Sequence, residues 1–252
     1  MKIYFIGAGP GDAQLLTLKA RSVISRADII IYAGSLVNQE ILKFAKKAAS
    51  VYDSSKMDLE EVLDVIQKSR ATKKVIARIH SGDPSIYSAL QEQLLWCEKE
   101  EIPYEIIPGV SSFCAGAAGL KQELTLPGIA QTIIITRLSG RTKVPEKENL
   151  RALSRINATL VIFLSIDKIK RVVKQLLCGY PKNTPVAIVS RASWPDEKII
   201  RGTLGDIAGK VKREKLNRQA LIYVGDVLKR ENFKKSCLYD KAFSHSYRKN
   251  KK

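Results

Sequence analysis

The stretch Lys2-Ile3-Tyr4-Phe5-Ile6-Gly7-Ala8-Gly9-Pro10-Gly11-Asp12 decides the fold class. An apolar run of strand length breaks into three alternating glycines, and a helix-type segment follows. This reads as the first strand-to-helix turn of an α/β sheet. Glycines let the chain turn sharply there and let a ligand approach the backbone. The spacing is half of a dinucleotide fingerprint, and the other half is missing. Pro10 and Asp12 stand where the helix should open, and a carboxylate there repels a pyrophosphate. The next strand ends in Ile31-Tyr32-Ala33-Gly34, without the acidic residue that would hold a ribose. The loop is therefore ligand-facing or a structural turn, and nicotinamide dinucleotide binding is disfavoured.

Outward from this loop, short β-rich runs alternate with amphipathic stretches. Strands are expected at 2–6, 27–32, 51–53, 74–80, 104–107, 131–137, 158–164, 185–190, 199–202 and 220–224. Helices are expected at 15–26, 58–70, 84–100 and 166–179. Asp58 with Glu61 three residues on makes a capping-box-like start, Pro84 suits a first helical turn, and Gly179 suits a helix end. Continuous apolar strands separated by helices predict parallel sheets buried on both faces. Ten strands exceed one compact open sheet at 252 residues. The expectation is two α/β domains, 1–120 and 121–240, followed by a basic tail, 241–252, that is partly disordered.

Three polar loops stand at carboxyl ends of first-domain strands, where open α/β sheets bind ligands. They are Gly7–Asp12, Ser81-Gly82-Asp83-Pro84-Ser85-Ile86-Tyr87 and Pro108-Gly109-Val110-Ser111-Ser112. Asp83 can accept hydrogen bonds from a cationic ligand, and Ser111 and Ser112 double as helix caps. Arg137 and Arg141, in Thr136-Arg137-Leu138-Ser139-Gly140-Arg141-Thr142, can grip carboxylates or phosphates, or simply be solvated. His80 reads as a buried structural histidine.

Lys and Arg number 43 against 25 Asp and Glu, a net charge of +18, of which +7 lies in residues 229–252. That balance favours polyanionic partners: nucleic acid, an anionic surface or a polycarboxylate. No apolar run reaches membrane-span length, and the first residues do not form a signal peptide, so no membrane and a cytoplasmic location are expected. Cys97, Cys114, Cys178 and Cys237 have neither metal-ligand nor redox-motif spacing, and His80 and His245 add no such pattern. They read as reduced structural thiols, with no metal site.

Taken in order, these motifs resemble the tetrapyrrole methylase family, together with Thr159-Leu160-Val161-Ile162-Phe163-Leu164. The likeness runs over about 1–245. Residues 32–37, 223–227 and the run Thr-Arg-x-x-Gly-Arg-Thr-x-Val-Pro-Glu at 136–146 are similar to one branch of the family. That branch methylates ring carbon 11 of a precorrin, with or without cobalt, during cobalamin synthesis. Uroporphyrinogen methylases carry an acidic residue where Ala33 stands, which argues against that sister activity.

The resemblance implies S-adenosylmethionine as cofactor, folded in a cleft between two domains, and a homodimer. It assigns cofactor contacts to Pro10, Ser81, Gly82, Asp83, Ile86, Ser111, Ser112, Leu164 and Ala192. Arg137, Arg141, Arg191 and Ser35 become candidates for holding the acidic tetrapyrrole substrate. A sulfonium methyl is already electrophilic, so positioning is the main task, worth about 7–11 kcal/mol. No catalytic proton acceptor is identifiable. The alternatives are methylation of another tetrapyrrole position or of ribosomal RNA. No aromatic stacking cluster or RNA motif supports the ribosomal RNA alternative. A basic nucleic-acid-binding protein is a further rival, disfavoured by the three ligand-type loops.

Overall fold

The computed structural model describes residues 1–229, 231, 233–240 and 243–249. Residues 241, 242 and 250–252 of the expected tail lie outside the described residues. All ten expected strands form, within about two residues of the expected bounds. They make two five-stranded sheets.

The first sheet contains β1 (Lys2–Gly7), β2 (Ile29–Tyr32), β3 (Ser50–Asp53), β4 (Val75–His80) and β5 (Tyr104–Ile107), in the order β3-β2-β4-β1-β5. Every pairing in it is parallel. Alternation explains why it is buried on both faces. Tyr4, Ile6, Ile30, Tyr32, Ala77 and Ile79 share one face with Ala20, Val23 and Ile24 of helix α1 (Leu18–Arg26). Ile3, Phe5, Ile29, Ile31 and Ile76 share the other with Val62 and Ile66 of α2 (Leu59–Gln67) and Leu94 and Cys97 of α3 (Gln91–Lys99). The capping box forms: Asp58 accepts from the Glu61 amide at 2.8 Å while Glu61 accepts from the Asp58 amide at 2.9 Å. Helix α4 (Ser112–Gly119) follows β5.

The second sheet contains β6 (Ile133–Arg137), β7 (Thr159–Phe163), β8 (Pro185–Ser190), β9 (Lys198–Thr203) and β10 (Ala220–Val224), in the order β6-β7-β10-β8-β9. The parallel expectation is corrected here. β6 and β7 are parallel, but β10 runs antiparallel to both β7 and β8. An apolar run encodes burial on both faces and not direction, so Ala220–Val224 reads the same either way. One face packs on α5 (Leu150–Leu153), α6 (Ile169–Leu176) and α7 (Ile207–Arg213) through Leu150, Val172, Leu176, Ile207 and Val211.

The chain divides into two units, Met1–Gly119 with Arg191–Lys198, and Leu120–Ser190 with Ile199–Lys252. The excursion of 191–198 into the first unit carries no mark in the strand–helix pattern.

All four expected helices are shorter than their patterns, and for two of them the late start has a visible cause. The helix expected from residue 15 begins at Leu18, because Thr17 caps it by accepting from the Ala20 amide at 3.1 Å. The helix expected from Pro84 begins only at Gln91. Tyr87 and Ala89 have left-handed φ of 52° and 49°, which no α-helix accommodates. Gln93 Nε2 donates to the Ala89 carbonyl at 3.1 Å and holds that strained segment. No helix among the described residues is long and apolar enough to cross a membrane.

Candidate active site

In the first sheet, β4, β1 and β5 lie side by side and parallel, so their carboxyl ends and following loops meet at one edge. Two hydrogen bonds tie the first two loops: the Gly82 amide donates to the Gly9 carbonyl at 2.8 Å, and the Gly9 amide donates to the Gly82 carbonyl at 3.2 Å. The third loop crosses so closely that side chains are excluded. A Cβ on Gly109 would lie 2.3 Å from the Gly82 carbonyl oxygen, and one on Gly7 would lie 2.6 Å from Gly109. Glycine is required at both by this approach of backbone to backbone.

Asp83 locks the edge. Its Oδ2 accepts from the Gly109 amide at 2.9 Å, and its Oδ1 accepts from the Ser85 amide at 2.8 Å and from the Ser85 hydroxyl. Desolvation pushes the Asp83 carboxyl upward, but the bonds from Ser85 and Gly109 outweigh it and hold the pKa below the usual range. A carboxylate has about four acceptor positions, so three internal bonds leave about one for a ligand.

Of the other sequence candidates in this unit, Pro10, Ser81, Gly82, Ile86, Ser111 and Ser112 lie on the same loops. Pro10 and Gly82 are buried, Ser81 and Ile86 half-buried. Ser111 is buried, and its carbonyl accepts from the Cys114 and Ala115 amides, which places it at the start of α4 beside half-buried Ser112. Ala192 is buried in the excursion. Ser35 is exposed in the turn after β2. That turn is anchored at its neighbour, where the Gly34 amide donates to Asp53 Oδ1 at 2.9 Å.

In the second unit, Leu164 follows β7. It has a left-handed φ of 50°, and 68% of its surface is exposed. A large apolar side chain on strained, exposed backbone is the kind of feature that clusters at ligand sites. Arg137 closes its fork on its own loop, donating to the Thr142 and Lys143 carbonyls, each at 2.9 Å. Arg141 is exposed on that loop. Arg191, back in the first unit, donates to Asp196 at 2.7 Å.

Beneath the edge lies a buried polar cluster. Arg78 donates from Nε to Gln93 Oε1 at 3.0 Å and from Nη1 to Ser54 Oγ at 3.0 Å. Burial lowers its pKa to about 10, so it stays charged near neutrality. His80 is buried, and its Nε2 has no hydrogen-bond partner among the described residues. Desolvation, then repulsion from Arg78, lowers its pKa to about 3, against a hydrogen bond with the Ser88 backbone. The imidazole is therefore neutral near pH 7, and its burial is the one expected from the sequence.

Sequence reasoning missed Asn38, Asp53, Ser193, Trp194 and Glu197. Asn38 Nδ2 donates to the Gly11 carbonyl at 2.8 Å. Trp194 bonds to Pro10 from 184 residues away, and no local pattern carries that separation.

Backbone loops gathered at the carboxyl edge of an all-parallel sheet place this unit among the open α/β folds, whose ligands in general bind beyond the strand ends. The family model of the tetrapyrrole (corrin/porphyrin) methylases matches residues 2–208, and the chain belongs to that family. It is 53% identical over 252 residues to a cobalt-precorrin-4 C(11)-methyltransferase of Methanocaldococcus jannaschii, covering 100% of this chain and 97% of that one. Its fold matches a solved cobalt precorrin-4 methyltransferase with a TM-score of 0.88 at 40% identity, over 90% of this chain and 95% of that one. It also matches a Thermus thermophilus uroporphyrin-III C-methyltransferase complexed with S-adenosyl homocysteine, TM-score 0.77, 28% identity, 91% and 94% covered.

Proposed function

We propose that this chain transfers the methyl group of S-adenosylmethionine to ring carbon 11 of precorrin-4, with or without cobalt, in cobalamin biosynthesis. The observation that carries the reading is the full-length likeness to a cobalt-precorrin-4 C(11)-methyltransferase on a chain whose glycine loops interlock at one sheet edge. The likeness to a uroporphyrin-III enzyme covers the chain about as fully but at only 28% identity, and is far weaker.

The residues present fit S-adenosylmethionine. A Cβ on Gly82 would meet only ordinary contacts, the nearest at 3.7 Å, so this backbone is less tightly covered than that of Gly7 and Gly109. The first amides of α4 have no acceptor within the helix and suit a carboxylate. When bound, the donor supplies a methyl group on a sulfonium. Pro10, Ser81, Gly82, Asp83, Ile86, Ser111, Ser112 and Ala192 are the first unit's proposed contacts to it. Asp83 acts by locking the loops, with about one acceptor position left for the donor's ammonium group. Leu164 is a further proposed contact. Arg141, with Ser35, is proposed to hold the substrate's acetate and propionate groups. Arg137 supports Arg141 by shaping their common loop, and Arg191 is already paired with Asp196. The residues' common task is to hold the ring carbon in line with the sulfur–methyl bond at about 3–3.5 Å.

A cytoplasmic homodimer is part of the proposal, supported by the family resemblance and checked by sedimentation of the full chain. The activity itself is tested with methyl-labelled S-adenosylmethionine offered with precorrin-4, cobalt-precorrin-4, uroporphyrinogen III or ribosomal RNA. Label at carbon 11 of either precorrin is the expected result. Label in uroporphyrinogen or RNA, and in neither precorrin, overturns the reading.

A further inference from the structure

The loop at Pro10, Gly11 and Asp12 is held by a turn formed far along the chain. Trp194 Nε1 donates to the Pro10 carbonyl at 2.9 Å, and the Asp12 amide donates to Ser193 Oγ at 3.0 Å. The indole also occupies the space where Gly11 would carry a side chain. A Cβ on Gly11 would lie 2.1 Å from the Trp194 ring.

The turn is itself braced. The Ser193 amide donates to Glu197 Oε2 at 2.7 Å. The Arg191 guanidinium lies 4.0 Å from the Trp194 ring centroid and donates to Asp196 at 2.7 Å. Arg191 and Ser193 have left-handed φ of 51° and 65°. Such backbone persists only where surrounding contacts enforce it. Here the enforced product is the placement of one indole against one glycine loop.

We propose that Trp194 is a positioning residue for the methyl donor. It fixes the Pro10 carbonyl and the Gly11 backbone in the shape that receives S-adenosylmethionine. This deepens the proposed function and rests on its assignment of the donor to the glycine loops. Because Trp194 acts on the donor's seat and not on the reacting atoms, its loss weakens donor binding and leaves turnover at saturation unchanged.

The test uses the full chain and S-adenosylhomocysteine, the unreactive product, in calorimetric titrations, with steady-state rates on precorrin-4. Trp194→Phe keeps the ring and removes the N–H donor. It is expected to weaken S-adenosylhomocysteine binding about five- to tenfold, the scale of one lost hydrogen bond. KM for S-adenosylmethionine rises in step, while kcat changes by less than about twofold. A second measurement needs no change at the site. The chain has two tryptophans, Trp96 and Trp194, so Trp96→Phe leaves Trp194 as the only indole. Its emission should shift saturably as S-adenosylhomocysteine is added.

Wild-type affinity in Trp194→Phe overturns the inference, as does a fall in kcat at unchanged KM. Silent Trp194 emission during a titration that calorimetry shows to bind also overturns it. A wild-type chain that fails to bind S-adenosylhomocysteine overturns the donor assignment itself, and the inference with it.

Discussion

At the scale of single residues, Asp83 and His80 show how one sheet edge gives two titratable groups opposite tasks. Asp83 is held charged by amides and a hydroxyl, and it joins the second loop to the third. Removing its carboxylate frees the Gly109 amide and loosens both. Asp83→Ala is therefore expected to weaken S-adenosylhomocysteine binding at least about tenfold, the scale of hydrogen bonds to a charged group. Unchanged affinity in a calorimetric titration would remove Asp83 from the donor site. His80 is held neutral by burial, with a folded pKa of about 3. An unfolded histidine titrates near 6.5, so between about pH 6.5 and 3 the unfolded chain binds the extra proton. The histidine's contribution is complete above about pH 6.5 and declines as pH falls. Urea unfolding of wild type should therefore steepen relative to His80→Phe below that pH, by up to about 1.4 kcal/mol per pH unit. Parallel stability profiles would show that His80 titrates normally in the folded chain.

At the scale of elements, the loop after β6 divides its two arginines. Arg137 donates both arms of its fork to carbonyls of Thr142 and Lys143 and so shapes the loop, while Arg141 is exposed on it. Arg141→Ala should weaken precorrin binding about fivefold or more, the scale of a charge-assisted contact, and leave S-adenosylhomocysteine affinity within about twofold. Equal precorrin affinity in variant and wild type, by fluorescence titration, would exclude Arg141 from the substrate site. Much of this level is legible in the sequence. All ten strands announce themselves because β-branched runs alternate with glycine and polar turns. Asp58 and Glu61 announce a helix start because both bonds of a capping box are local. The segment 84–90 is not legible. Its helical pattern is overridden by contacts with Gln93 and the Ser88 backbone's partner His80, which the chain alone does not reveal.

At the scale of the whole molecule, the charge of +18 is the dominant long-range property. A precorrin carries many carboxylates, whereas S-adenosylmethionine carries about one net positive charge. Steering by the protein's field should therefore act on one substrate and not on the other. Raising salt from about 50 to 500 mM shortens the screening length to a few ångströms. Precorrin association measured by stopped flow should slow about tenfold or more over that range, with S-adenosylhomocysteine affinity little altered. A salt-independent association rate would show that the basic surface serves another end.

The sequence by itself determined the two-sheet α/β plan, the glycine loops at the first sheet's carboxyl edge and the methylase resemblance. These rest on patterns within a few residues, which hydrophobic alternation and backbone sterics make readable. The tertiary structure alone decided the antiparallel place of β10, the locking of three loops by Asp83 and the return of Trp194 to Gly11. Each is a contact between segments far apart in the chain, and its free energy depends on spatial neighbours that no local pattern encodes.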